Sequence, residues 1–202
     1  MLDRAALRHL APLFTRLARV CVAAGIAADA VTLTAFTLGI VAAALIALGL
    51  PGWGLWVLLA SRLLDGLDGA VARLTQTSDR GAFLDITLDF LVYASVPLAF
   101  AVAQPAANAL PAAVLLAAFI GTGSSFLAFS VMAERRGLKS DAYPSKGIYY
   151  LGGLTEATET LICFALMCLW PMHFAWFAYG FAAMCGMTIA TRIVGGWRAL
   201  KV

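Results

Sequence analysis

Charge is what this sequence has least of. Only 12% of its 202 residues are Asp, Glu, Lys or Arg, while 62% are apolar and the mean hydropathy is +0.90. An ordinary soluble domain is nearer a quarter charged and half apolar, so a water-soluble globule is excluded. Histidine is scarce too: His9 and His173 have no ligand partner nearby in sequence, and neither is expected to be catalytic. The four cysteines, Cys21, Cys163, Cys168 and Cys185, lie in apolar stretches without CxxC spacing or a histidine cluster. That pattern argues against a disulfide framework or a zinc site and leaves buried thiols. There is no evident internal repeat or low-complexity tract, and the net charge of +3 gives no reason to expect a nucleic-acid partner.

What is present is a series of apolar runs. A membrane-spanning helix needs about 20 mainly apolar residues, and six such segments are expected at about 30–50, 53–75, 81–104, 109–134, 147–170 and 172–195. They are separated by Pro51-Gly52, Gln104-Pro105, the polar run 134–146 and Pro171. Ahead of them, residues 2–22 are too charged to cross a bilayer. At 100° per residue Arg4, Arg8, Arg16 and Arg19 share an arc of about 120°, opposite Leu7, Leu10, Leu13, Phe14, Leu17, Val20 and Cys21. That is the pattern of an interfacial amphipathic helix whose cationic face suits an anionic leaflet. The arginines interrupt any signal-peptide core.

All fourteen Lys and Arg fall in the N-terminal helix, in the second-to-third and fourth-to-fifth connections with their flanking turns, or at the C-terminus. Basic residues accumulate on the cytoplasmic side, which predicts both termini in the cytoplasm and an even number of spans. Trp53, Trp56, Trp170 and Trp176 collect at the opposite face as interface anchors, and Gly39, Ala42, Ala43, Gly180 and Gly186 are expected to let helices pack closely. The expected fold is one all-α integral membrane domain over 1–202, six transmembrane helices preceded by the surface helix.

Against this apolar background the acids stand out, because intramembrane Asp and Glu are costly and rarely face lipid. Asp65 and Asp68 are three apart near the cytoplasmic end of the second span; Asp85 and Asp89 are four apart at the start of the third. Each spacing puts its pair on one helical face, and a short turn between antiparallel spans lets the pairs face each other. Four carboxylates in one poorly hydrated pocket repel strongly unless cations are present. Hard oxygen donors with no His or Cys favour Mg²⁺, Mn²⁺ or Ca²⁺ over zinc. Two such ions form a clamp suited to a diphosphate and to phosphoryl transfer. Gly69 and Gly81 leave room for a nucleotide and Arg73 adds a fixed cation. For any one acid the plain alternative is a salt bridge, such as Asp65 with Arg62 one turn earlier.

The run Asp65-x-x-Asp68-Gly69-x-x-Ala72-Arg73 followed by Gly81-x-x-x-Asp85-x-x-x-Asp89 resembles the signature of the CDP-alcohol phosphatidyltransferases, integral membrane enzymes of phospholipid synthesis. The one departure is that seven residues, rather than about eight, separate Arg73 from Gly81. The resemblance implies transfer of a phosphatidyl or phosphoalcohol group from a CDP-linked donor to an alcohol, with release of CMP. It implies Asp65, Asp68 and Asp85 as metal ligands, and Asp89 as both metal ligand and general base. Asp68, Gly69, Ala72 and Arg73 then line the nucleotide site, where Gly81 gives room, and two Mg²⁺ or Mn²⁺ ions are the expected cofactors. A homodimer follows from the resemblance alone. The short chain is similar to prokaryotic members, which implies CDP-diacylglycerol as donor and a bacterial inner membrane.

The acceptor is less legible. Thr155, Glu156, Thr158, Glu159 and Thr160 resemble the E-R-x-E-R stretch of inositol-phosphate-using relatives, with Ala157 and Thr160 in place of its arginines. The loss of those arginines weakens a phosphorylated acceptor. Arg135, Lys146 and Arg192 still supply positive charge, and Glu156 and Glu159 could attract a cationic amino alcohol or simply pack against threonines. Arg135, Lys146, Glu156, Glu159 and Arg192 are the expected acceptor pocket, bordered by Tyr143, Tyr149 and Tyr150. Asp29 reads as an N-cap, and Asp79 and Arg80 as residues of a solvated turn. The alternatives are a CDP-amino-alcohol phosphotransferase acting on a lipid, a small cation transporter or channel, and a membrane scaffold.

Overall fold

The computed structural model describes residues 2–137 and 154–201, and the regular structure of those residues is helical throughout. In chain order the elements are α1 (Leu2–Ala23), α2 (Ala28–Ala47), α3 (Pro51–Leu74), α4 (Asp79–Ala103), α5 (Pro105–Arg135), α6 (Ala157–Leu169), a 3₁₀ turn at Pro171–His173 and α7 (Phe174–Ala199). Prolines open α3, α5 and the 3₁₀ turn, where the missing N–H is no loss. Gly25, Gly49 and Gly137 follow α1, α2 and α5 with φ of 72°, 79° and 63°, the left-handed geometry that closes a helix at little steric cost.

Among the described residues four helical segments are long and apolar enough to cross a membrane: α2, α4, α5, and the 3₁₀ turn with α7. α3 has 24 residues, about 36 Å of helix, and its charges set it apart from those four. α6, the described part of the expected fifth span, has 13 residues, about 20 Å, against a hydrocarbon layer of about 30 Å. Lys139, Lys146 and the three tyrosines of the expected pocket mouth lie outside the described residues.

Lipid tails are as apolar as leucine, so helix association in a membrane rests on close packing and hydrogen bonds. α2 is held against α3 and α4 in this way. Gly39 sits where a Cβ would come within 2.6 Å of a Val92 methyl, and Gly54 where one would come within 2.6 Å of Ile46. Ala42, Ala43, Val92 and Val96 continue the seam. Gly123 admits the Phe90 ring, and Gly121 and Gly196 admit Ile189 and Phe129 between α5 and α7. Gly180 and Gly186 were expected in this role, but among the described residues nothing lies within 4 Å of a Cβ at either. Small size alone does not tell which face of a helix meets a neighbour.

α6 inserts Cys163, Phe164, Met167 and Cys168 into the main core, where Phe100 stacks on Phe174 at 4.6 Å. Cys163, Cys168 and Cys185 are buried free thiols, as expected, and Cys21 is half-buried. Trp53, Trp56, Trp170 and Trp176 are all exposed, at the ends of α3, α6 and α7 away from the acids. α1 docks on α3: Phe14 and Ala18, four apart, are buried with Val31, Leu67, Ala70 and Val71, and the Phe14 ring lies 2.9 Å from where Gly66 would carry a Cβ.

Gly39→Ala is expected to destabilise the fold by about 1–3 kcal/mol, because the β-branched Val92 cannot step aside. Gly180→Ala, in open space, is expected to be neutral or to stabilise by up to about 1 kcal/mol through helix propensity. Thermal unfolding of the two variants in detergent checks the contrast.

Candidate active site

The acids lie in layers along the α3–α4 seam. Counting from the ends of α3 and α4 that share the short turn, Asp68 and Asp85 are about 9 Å in, and Asp65 and Asp89 about 14–15 Å. One turn deeper come Arg62 and Tyr93, about 18–21 Å from the same end. Carboxylate oxygens of Asp65, Asp68 and Asp85 lie within 4.8 Å of one another. Asp68 is buried, whereas the side chains of Asp65 and Asp89 keep 24% and 27% of their exposure, so the cluster opens on one side. Three converging carboxylates with no nitrogen or sulfur donor fit a hard divalent cation.

Second contacts hold these groups in place. The Thr32 hydroxyl of α2 donates to Asp68 Oδ2 at 2.6 Å, in a buried setting. Arg62 donates through Nη1 to Asp89 Oδ1, and the same nitrogen lies 3.5 Å from Asp65 Oδ2. Its Nη2 donates to Ser61 Oγ at 3.1 Å, the Ser61 hydroxyl donates to the Ala35 carbonyl at 2.7 Å, and the guanidinium carbon lies 5.7 Å from the centre of the Tyr93 ring. The salt bridge weighed as an alternative for Asp65 therefore exists, but its arginine sits closer to Asp89.

This placement corrects the charge ledger, because Arg62 is well inside α3 rather than in a flanking turn. Sequence reasoning missed Thr32, Ser61 and Tyr93 altogether. The available signal was spacing: Arg62 precedes Asp65 by three and Tyr93 follows Asp89 by four, each on its partner's helical face.

Of the residues expected on the nucleotide side, Gly69, Ala72 and Arg73 share the last turns of α3 and Gly81 stands in the first turn of α4. Arg73, in the last turn of α3, lays Nη1 3.3 Å from the point where Gly69 would carry a Cβ, and Ala72 is half-buried beside it. The four residues 75–78 link α3 to α4, and Ser78 caps α4 by accepting from the Gly81 N–H at 3.1 Å. A Cβ at Gly81 would meet Asp29 Oδ1 at 3.4 Å, and Arg80 Nε lies 3.5 Å from Asp29 Oδ2. Asp29 is thus not the N-cap of α2: Ala27 holds that place, and Asp29 stands in the first turn, where its charge suits the helix dipole. Asp79 and Arg80 begin α4 rather than forming a free turn.

The expected acceptor residues are not gathered so plainly. Arg135 is exposed at the end of α5, and Lys146 is outside the described residues. Glu156 and Glu159 form a capping box at the start of α6, where Glu159 Oε2 accepts from the Glu156 N–H at 3.2 Å. Arg192 is buried, donates to the Thr122 carbonyl at 3.0 Å and stacks 5.7 Å over Phe126.

With this geometry in view, the sequence profile of the CDP-alcohol phosphatidyltransferases matches residues 25–193, from the end of α1 to the last turns of α7. The chain belongs to the CDP-alcohol phosphatidyltransferase family. It is 50% identical over 201 residues to the inner membrane protein YnjF of Escherichia coli strain K12, covering 100% of this chain and 98% of the relative. The fold is that of the Mycobacterium tuberculosis phosphatidylinositol phosphate synthase PgsA1. The PgsA1 crystal structure with CDP-DAG bound matches at 23% identity and a TM-score of 0.69, over 92% of this chain and 94% of that one. The complex with manganese and citrate matches at 23% identity and 0.72, over 91% and 88%. As a CDP-alcohol phosphatidyltransferase, this protein carries its signature acids where α3 and α4 face each other and α2 closes the seam.

Groups that orient metal-binding side chains typically matter about 10- to 100-fold in affinity. Thr32→Val, which keeps the shape and removes the donor, is expected to weaken Mn²⁺ binding by that order, and Thr32→Ser to restore it. Titration of the purified variants with Mn²⁺ tests this.

Proposed function

We propose that this enzyme transfers a phosphatidyl group from CDP-diacylglycerol to a small polar alcohol, releasing CMP, at a cytoplasm-facing site in the bacterial inner membrane. The observation that carries the reading is the convergence of Asp65, Asp68 and Asp85 within 4.8 Å, with Asp89 on the same seam at the depth of Asp65. The inner-membrane name of the E. coli relative and the CDP-DAG bound to PgsA1 support the setting and the donor. The proposed topology has six spans and both termini inside. It counts α3 as a span despite its site charges and takes α6 as part of the span at 147–170, with α1 lying on the cytoplasmic leaflet.

Asp65, Asp68 and Asp85, with Asp89 at their edge, would hold two divalent cations, Mg²⁺ or Mn²⁺. When bound, these supply charge neutralisation of the diphosphate and of the departing CMP. Arg73 and the backbone at Gly69 and Ala72 line the nucleotide side, with Gly81 leaving that approach clear. Asp89 takes the proton of the acceptor hydroxyl as its oxygen bonds to the phosphatidyl phosphorus. The bond from that phosphorus to the CMP oxygen breaks, and CMP leaves with the electron pair. The surface helix α1 brings an apolar face and a cationic face to the lipid boundary, where a diacylglycerol donor resides. Arg135, Lys146, Glu156, Glu159 and Arg192 remain the proposed acceptor side.

Purified protein with Mn²⁺ or Mg²⁺ and labelled CDP-diacylglycerol is expected to release CMP with one of glycerol 3-phosphate, inositol, inositol phosphate, serine, choline or ethanolamine. Cation flux in liposomes without CMP release from any of them would replace the reading with a transporter. Asp89→Asn is expected to keep the donor bound and to lower kcat at least about 100-fold, the lower end of what a general base contributes. Near-normal turnover in that variant would remove Asp89 from its role.

A further inference from the structure

Arg62 is an expensive residue to place here. A guanidinium about three turns inside a membrane helix is tolerated when it is paired or serves a function. Its side chain is 9% exposed, Nη1 serves Asp89 and Asp65, Nη2 rests on Ser61, and Tyr93 lies under the fork, while the buried Nε has no hydrogen-bond partner among the described residues. On the shallow side the three-carboxylate cluster uses Asp65, Asp68 and Asp85; on the deep side Asp89 Oδ1 is taken by the arginine. A divalent ion between Asp65 and Asp89 would share their carboxylates with the guanidinium and would meet a fixed positive charge.

We propose that Arg62 is the resident counter-cation of the active site. It occupies the Asp65–Asp89 side, so that the free enzyme takes one divalent ion tightly at Asp65, Asp68 and Asp85 and a second only weakly. The charges support this order. One divalent ion and Arg62 bring three positive charges to four carboxylates, and a second ion would bring an excess. A donor diphosphate adds about two negative charges of its own, and the second ion then has something to neutralise. Arg62 in this way ties filling of the second position to arrival of the donor, and it keeps Asp89 oriented meanwhile. The fork geometry matters, since a planar guanidinium reaches two carboxylates and a serine at once where an ammonium reaches fewer.

The inference rests on the reading that Asp65, Asp68 and Asp85 hold a divalent cation, and the two can fail separately. Mn²⁺ binding to the purified protein, measured by electron paramagnetic resonance without any nucleotide, is expected to show one tight ion in the wild type and weakening in Asp68→Asn. Arg62→Gln is expected to tighten the second ion at least tenfold, and Arg62→Lys to tighten it less. A merely structural loss would weaken cation binding, so a gain is diagnostic. Adding CDP to the wild type is expected to raise the stoichiometry from one to two. If the wild type and Asp68→Asn bind Mn²⁺ alike, the metal reading fails. If Asp68→Asn weakens binding but Arg62→Gln leaves the second affinity within twofold of wild type, the Arg62 proposal is overturned. Should Arg62→Gln not fold, Arg62→Lys decides: an unchanged second affinity overturns the proposal.

Discussion

Four aspartates meeting inside a helical membrane protein are the constraint to which the rest of this structure answers. Like charges in a medium of low polarity repel steeply, and partial burial limits how far water can screen them. The chain answers in three ways. It opens the cluster on one side, satisfies Asp68 with Thr32, and sets Arg62 against Asp65 and Asp89. None of these suffices alone, since one arginine against four carboxylates leaves a site that still attracts cations. That residual negative charge is what draws divalent cations to a site where a CDP-linked donor is cleaved.

The constraint also explains why α2 is packed so tightly. Thr32, Ala35 and Gly39 lie along one side of that helix and meet Asp68, Ser61 and Val92 in turn. The glycine lets the backbones approach, the approach brings the Ala35 carbonyl within reach of Ser61, and Ser61 supports Arg62. Packing and electrostatics are thus parts of one chain of contacts. α1 extends it outward: Phe14 fills the notch at Gly66, between the two signature aspartates of α3, so α1 braces the helix that carries them.

How much of this was legible in the sequence depended on whether the information was periodic or tertiary. The acid pairs could be placed on facing helical sides because i, i+3 and i, i+4 spacings fix a face, and their signature carried the family. Exposed tryptophans and buried thiols followed from partition between water, interface and lipid. Thr32 and Ser61 could not be singled out, because a hydroxyl in an apolar helix most often bonds to its own preceding turn, as Thr34 and Thr37 do here. Gly180 and Gly186 read like packing residues because small size carries no direction. Glu156 and Glu159, candidates for holding an acceptor, have spacing that serves a capping box equally well, and the fold uses them as one.

The shortened stretch between Arg73 and Gly81 shows which contacts set the register of the site. If the loop did so, a lost residue would turn α4 by about 100° and carry Asp85 away from its partners. Instead Asp85 reaches Asp65 and Asp68, Ser78 still caps α4, and Gly81 still faces α2. The rotation of α4 is fixed farther along, where Val92 seats on Gly39, Phe90 on Gly123, and Tyr93 lies under Arg62. Those contacts hold α4 in the rotation that turns Asp85 and Asp89 toward α3. The geometry of the acids thus draws on packing along the length of α4 as well as on the capped turn that precedes it.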